Sequence, residues 1–232
     1  MMKPSSLLGS VVTVLRTTVA ALLLCGAATA SAGYITTNSF KLNSIFSQPG
    51  FGLDDIVIRF NAPRTVVSAS LLDINDDAEF NSLYDLAAYT DGPVVNMFFV
   101  DKISFCGSPG SRIIGCASTP GNVMVLDSLW AADAALGGNL AAHELAHNLG
   151  LPHQFPDEGW NLMNPTLSPS FALLALQITT ILASPLVQYD FLDQRFISIT
   201  PIAVVAVPEP QAWAMLSLGL LGLAGWVRRR KE

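Results

Sequence analysis

All three histidines of the chain fall within one short segment, HELAHNLGLPH, which covers residues 143–153. Helical residues four positions apart share a face, so the imidazoles of His143 and His147 can meet one ion. Glu144 is turned about 100° away from that pair and stands beside the site. Gly150 can adopt a left-handed conformation that ends the helix and returns His153 to the same ion. Three neutral imidazoles leave one coordination position open, so the segment predicts a catalytic zinc site with Glu144 as general base.

The alternative is that these residues are ordinary members of a helix and a turn. At average composition, three histidines, a glutamate and a glycine in this register arise by chance in about one chain in 10⁵ of this length. Chance is therefore the poorer explanation. The fold must bring a helix, a sharp turn and the residues after the turn around one point.

A second segment, NLMNP at residues 161–165, follows shortly after the histidines, and its asparagines and proline favour a tight turn. Together the two segments resemble the metzincin clan of zinc endopeptidases, whose long motif is HExxHxxGxxH followed by a Met-turn. Met163 corresponds to the Met-turn methionine. Gln154 follows the third histidine and Pro165 stands where some subfamilies carry a tyrosine ligand, so the resemblance stops at the clan and implies no tyrosine ligand.

This resemblance implies a fold and a site. The fold is expected to be α+β, a mixed twisted sheet with an active-site helix, a Met-turn and a C-terminal helix. One zinc ion would be held by His143, His147 and His153, above an apolar floor made by Met163. A peptide or protein substrate would lie as an extended strand along the sheet edge near residues 113–118.

Apolar periodicity predicts further elements. Strands are expected at residues 56–60, 94–100 and 122–127, with a short strand at Ile113-Ile114. Helices are expected at residues 76–89, 140–149 and 173–183, with Asn139 capping the second and Gly150 ending it. Residues 33–50 are polar and are interpreted as a lead-in.

Every second residue from 73 to 79 is acidic or an amide, as at the beginning of a calcium-binding loop: Asp73, Asn75, Asp77 and Glu79. Such a loop requires glycine at its sixth position and glutamate at its twelfth, and here those positions hold Ala78 and Tyr84. The pattern therefore favours the acidic first turn of a helix, and calcium is not expected as a cofactor.

Charge and cysteine usage bear on partners and compartment. Residues 33–206 carry six basic side chains against sixteen acidic ones, which is not the footprint of a nucleic-acid-binding protein. Cys106 and Cys116 lie in a loop that contains glycine and proline. In an exported domain this pair predicts one disulfide, and two free buried thiols are the alternative.

Residues 1–32 are typical of an export signal peptide. Lys3 and Arg16 supply positive charge, and the apolar run at residues 18–26 is too short to span a bilayer. Ala30-Ser31-Ala32 gives a small-x-small cleavage pattern, which predicts a mature chain beginning at Gly33. A short membrane anchor is the alternative interpretation.

Residues 207–232 form a tail in three parts: the Pro208-Glu209-Pro210 motif, an uncharged run at residues 212–227 and a basic cluster at 228–231. As a helix the run would be about 24 Å long, a little short for a bilayer core of about 30 Å. The tail resembles the PEP-CTERM sorting signal of Gram-negative bacteria. That resemblance implies an exosortase-type processing enzyme as a partner, and a simple C-terminal membrane anchor is the alternative. Both interpretations place the domain outside the cytoplasm and give it a membrane contact through the C-terminal helix.

The leading hypothesis is an exported zinc metalloendopeptidase with its catalytic domain at residues 33–206. A non-catalytic surface or matrix protein on the same scaffold is the main alternative, and zinc hydrolysis of a non-peptide amide is another. The intact Glu144 favours an enzyme, since a binding scaffold needs no base beside the metal.

Overall fold

A mixed seven-stranded sheet with helices on both faces forms the centre of the molecule. The computed structural model describes residues 33–87, 93–155, 160–206, 217–221 and 223, and Ser31–Val207 form one compact unit. Its strands, in chain order, are β1 (Ile56–Phe60), β2 (Arg64–Val67), β3 (Asp73–Ile74), β4 (Val94–Val100), β5 (Lys102–Phe105), β6 (Pro109–Ile113), β7 (Gly115–Ala117), β8 (Val123–Asp127), β9 (Gln188–Tyr189) and β10 (Arg195–Val205). Its helices are α1 (Ser39–Phe46), α2 (Asp77–Leu86), α3 (Ser128–Ala131), α4 (Gly137–Asn148) and α5 (Ala175–Leu182), with one 3₁₀ turn at Pro49–Phe51.

The strand order in the main sheet is β1-β10-β4-β8-β7, with β2 and β9 also paired to β10. Strands β1, β10, β4 and β8 run parallel, and β7 runs antiparallel to β8 at one end of that order. A smaller sheet has the order β3-β5-β6. The fold is therefore mixed α/β, and within the described residues β7 has no further strand beside it.

Side chains of β4 alternate between two cores. Val95, Met97 and Phe99 belong to the core that also contains residues of α1 and α4. Phe98 and Val100 belong to the core on the other face, which includes Leu83 of α2. Because both faces of the sheet are covered, β4 is an almost continuous apolar run, as is usual for buried parallel strands.

Several sequence predictions are confirmed. Strands β1 and β4 have the predicted bounds, and β8 begins one residue later than predicted. Helix α2 begins after Asp76, whose carboxylate accepts a hydrogen bond of 2.8 Å from the Glu79 backbone N–H. The Glu79 carboxylate in turn accepts from the Asn75 backbone N–H, so residues 75–79 form the start of a helix, as predicted. Helix α5 lies inside the predicted range 173–183.

The interpretation of residues 33–50 as a polar lead-in is wrong. These residues contain α1, in which Leu42, Ile45 and Phe46 are fully buried. Their spacing of three and four residues forms one apolar stripe, while the polar residues between them occupy the outer face. The helix was missed because polar residues outnumber the three apolar ones that form the stripe.

Two local predictions around the metal site also need correction. Asn139 does not cap a helix, because α4 begins at Gly137 and Asn139 lies in its first turn. The buried Asn139 amide instead donates to the carbonyls of Ser168 and Ser170, at 2.9 and 3.2 Å. The expected strand at Ile113-Ile114 is divided, since β6 ends at Ile113 and β7 begins at Gly115.

Strand β10, the longest in the described chain, was missed because it contains Pro201, and proline argues against a central strand. The structure accommodates Pro201 at a gap in the ladder. Pairing with β1 ends opposite Ile199, and pairing with β2 begins only at Val204. On that side of the strand, Pro201 has no neighbour that requires a backbone donor.

The two terminal segments are only partly described. The predicted signal at residues 1–32 and the Pro208-Glu209-Pro210 motif lie outside the described residues. Of the apolar run at 212–227, residues 217–221 and 223 are described, and they are helical and exposed. Across the described parts of the chain, no helix has both the length and the apolar character needed to cross a membrane.

Candidate metal centre

Helix α4 carries two of the three histidines in a fully buried setting. All of its residues are buried, and it packs against β7, β8, α1 and α3. Beyond its end, Gly150 adopts a positive φ of 100°, which reverses the chain direction. The following residues then bring His153 beside His143 and His147.

The three imidazoles converge through their Nε2 atoms. The distance from His147 Nε2 is 3.1 Å to His143 Nε2 and also 3.1 Å to His153 Nε2. The distance between His143 Nε2 and His153 Nε2 is 3.3 Å. Three nitrogens bound to one tetrahedral zinc ion at about 2.05 Å would stand about 3.3 Å apart, so the spacing fits a shared ion.

Backbone carbonyls orient the two helical imidazoles. His143 Nδ1–H donates to the Leu162 carbonyl, and His147 Nδ1–H donates to the Leu151 carbonyl, each at 2.7 Å. Because a carbonyl only accepts, each Nδ1 carries the proton and each Nε2 keeps its lone pair for a ligand. The turn at Gly150 therefore also supplies the carbonyl that fixes His147.

The electrostatic setting favours neutral imidazoles. Burial lowers the pKa of His143 to about 4 and also lowers the pKa of His147 and His153. At neutral pH, uncharged nitrogens with converging lone pairs are suited to a cation. The His143, His147 and His153 cluster could therefore hold a metal ion such as zinc.

A cluster of amide side chains, two of them buried and one half-buried, supports the chain that carries His153. Its members are Gln154, Asn161 and Gln177, and the Asn161 amide donates to Gln154 Oε1. Gln177 Nε2 donates to the same oxygen at 3.0 Å, from the first turn of α5. The backbone N–H of Gln154 donates to the Met163 carbonyl at 2.8 Å. The residue after the third histidine is thereby tied both to the 161–165 turn and to α5.

Met163 lies in that turn and is fully buried. Its backbone N–H donates to Asn161 Oδ1 at 2.7 Å, which fixes the tight turn expected from the sequence. The apolar floor beneath the metal, which the metzincin resemblance implies for Met163, remains a prediction.

Glu144 lies beside the histidines with 5% of its surface exposed. Burial raises the pKa of its carboxyl group to about 8. It packs directly against Gly115 at the start of the edge strand β7. A Cβ atom at residue 115 would lie 2.8 Å from both Cγ and Cδ of Glu144, so only glycine leaves space for this side chain.

A cleft of about 930 Å³ runs past these residues. Its lining includes His143, His153 and Glu144, together with Gly115 of the edge strand. Trp130 lies on another part of the cleft wall. The cleft is large enough for several residues of an extended chain, and it joins the histidine cluster to β7, whose outer edge is unpaired among the described residues.

The predicted disulfide is confirmed. Cys106 and Cys116 are bonded, with a Cα–Cα distance of 5.7 Å. The bond joins the end of β5 to the middle of β7, so it ties the β5–β6 hairpin to the edge strand. This hairpin contributes one wall of the cleft.

Sequence reasoning missed Gly115, the amide cluster and the two orienting carbonyls. The carbonyls carry no sequence signal. Gln154 differs from the residue that follows the third histidine in the familiar metzincin subfamilies. This difference was the one sequence signal that pointed to the hydrogen bonds made after His153.

Comparison with known families supports the interpretation of the tail. Residues 206–231 match the family model of the PEP-CTERM protein-sorting motif. This motif implies export, sorting to the cell surface and processing by an exosortase. No metzincin family model matches the chain, and no curated protein matches it.

Proposed function

We propose that this protein is an exported zinc metalloendopeptidase with its catalytic domain at residues 33–206. The main support for this proposal is that the three histidine Nε2 atoms lie 3.1–3.3 Å from one another. The buried Glu144 and the edge strand β7 lie beside them. His143, His147 and His153 are the proposed ligands. When bound, zinc would lower the pKa of a water molecule and polarise a carbonyl group.

Glu144 is the proposed general base. It stands beside the ligands without belonging to them, and Gly115 gives its carboxylate room next to the path of a substrate. In this role Glu144 accepts a proton from the attacking water and then delivers that proton to the leaving amine.

The edge strand β7 is the proposed substrate platform. Its outer edge has no strand partner within the described chain, and it borders the cleft that contains the metal ligands. An extended peptide that pairs with β7 would pass directly over Gly115 and Glu144. Such strand addition obtains its affinity from backbone hydrogen bonds and favours a peptide over a compact non-peptide amide.

The catalytic test replaces Glu144 by alanine. We expect zinc binding to persist, because the three ligands are untouched, and casein hydrolysis to fall by about 10²- to 10⁴-fold, since the general base is lost. Zinc content is measured by elemental analysis and activity by release of soluble peptides. Glu79→Ala, on the opposite face of the sheet, is the matched control and should keep its activity.

A Glu144→Ala protein with full activity would contradict the proposed base. A wild-type protein that binds one zinc ion yet cleaves no peptide from a random library would instead favour a non-catalytic surface or matrix protein. Cleavage that survives complete removal of metal by a chelator would reject the zinc mechanism.

A further inference from the structure

One basic side chain in the domain differs from the rest. Five of the six basic residues in the range 33–206 are engaged with other groups; these are Lys41, Arg59, Arg64, Lys102 and Arg195. Arg112 is the sixth. Within the described residues it makes no hydrogen bond, ion pair or ring contact, and its side chain is exposed.

Arg112 also lines the cleft that contains the metal cluster. It lies on β6, three residues before Gly115, so the two Cα atoms are at most about 10 Å apart along the chain. Gly115 is the residue against which Glu144 packs. The guanidinium of Arg112 and the proposed catalytic carboxylate of Glu144 are therefore close enough for one extended peptide of a few residues to reach both.

The backbone around Arg112 is held in place from both sides. Ile113, the next residue, pairs with Ile103 of β5 and packs against the second core. The disulfide between Cys106 and Cys116 closes the same loop. A binding group on such an anchored hairpin loses less conformational entropy when it engages a ligand.

We propose that Arg112 selects peptide substrates that carry an aspartate or glutamate side chain on the leaving-amine side of the cleaved bond. This inference rests on the proposed peptidase function. Antiparallel pairing is the more stable mode of strand addition, and it directs the C-terminal half of a substrate from Gly115 towards Arg112. The planar guanidinium matches a carboxylate through two parallel hydrogen bonds.

The test uses the zinc-loaded protein and amidated peptides that share one cleavage site. Aspartate or asparagine is placed at each of the four positions after the cleaved bond, and kcat/KM is measured for each peptide. Amidation removes the terminal carboxylate, so only the side chain carries the charge. At one or two positions, we expect the aspartate peptide to be cleaved about three- to tenfold faster than its asparagine partner, with a smaller ratio at high salt.

Three variants complete the design. Arg112→Gln should bring the aspartate-to-asparagine ratio close to one, and Arg112→Glu should invert it. Arg64→Gln, on β2 and outside the cleft lining, should keep the wild-type ratio. Circular dichroism establishes that each variant is folded, and the ratio is independent of the amount of active protein.

The outcomes separate the two proposals. Equal cleavage of aspartate and asparagine peptides by the wild type would overturn the role of Arg112 and leave the peptidase function intact. A preference that persists in Arg112→Gln would also overturn it. A wild type that cleaves no peptide would overturn the proposed function and this inference with it.

Discussion

At the scale of single residues, the contact between Glu144 and Gly115 determines whether the Glu144 carboxyl group can occupy its position. The requirement for glycine here is one of space, because the added Cβ would overlap the glutamate side chain. Glu144 lies on α4 and Gly115 on β7, so the close packing of these two elements depends on this pair.

We therefore expect Gly115→Ala to destabilise the protein by about 1–3 kcal/mol, as overpacking does in buried sites, and to lower activity by displacing Glu144. The control is the double variant with Glu144→Ala, in which the added methyl group has space. Urea unfolding should show a cost for Gly115→Ala in the wild type and almost none in the Glu144→Ala background. Equal costs in both backgrounds would show that the contact with Glu144 is not the cause.

The cluster of three histidines could be predicted from the sequence, whereas Gly115 and Arg112 could not. The geometry of His143, His147 and Glu144 is local, since one helix fixes all three side chains. Gly115 reaches Glu144 only through tertiary packing between a strand and a helix. The role of Arg112 depends on an inventory of charge partners, which only a three-dimensional structure provides.

At the scale of elements, α1 shows how a short helix can be hidden in a polar segment. Its three buried residues form a narrow stripe, and the helix lies against α4 and β1. It therefore supports the helix that carries His143 and His147.

A matched pair of phenylalanines in α1 tests this support. Phe46 is fully buried, while Phe40 is 87% exposed. We expect Phe46→Ala to lower the free energy of unfolding by about 3–5 kcal/mol and Phe40→Ala to change it by less than about 0.5 kcal/mol. Denaturant titration measures both, and similar effects for the two variants would contradict the packing assigned to α1.

Strands β1 and β4 were predictable because their apolar runs are bounded by polar or turn-forming residues. Strand β10 was not, because its pairing with β1 and β2 leaves a gap at Pro201 that no local rule anticipates. The disulfide was predictable because Cys106 and Cys116 are close in sequence and have no competing partner in the domain.

At the scale of the whole molecule, the histidine cluster brings α4 together with the chain that follows the turn at Gly150. His143 and His147 lie on α4, while His153 follows the turn at Gly150 and is tied through Gln154 to α5. An ion bound by all three ligands stabilises the folded chain by mass action, because the unfolded chain does not present them together.

Zinc at about one hundred times its dissociation constant should therefore raise the free energy of unfolding by about 2.7 kcal/mol. For a domain of this size, the melting temperature should rise by roughly 5–10 °C over the metal-free protein. Differential scanning calorimetry with zinc and with chelator measures the shift. His153→Ala should abolish most of it, and an unchanged shift in that variant would place the ion elsewhere.

The position of β10 has a further consequence for the timing of folding. The strand that lies between β1 and β4 is the last one of the domain to be synthesised, and it ends just before the matched sorting motif. A chain that has been synthesised only as far as α5 contains β1 and β4 but not β10, which joins them. The sheet can therefore close only after nearly the whole domain has been synthesised, so a chain cut short before β10 would leave β1 and β4 without the strand that lies between them.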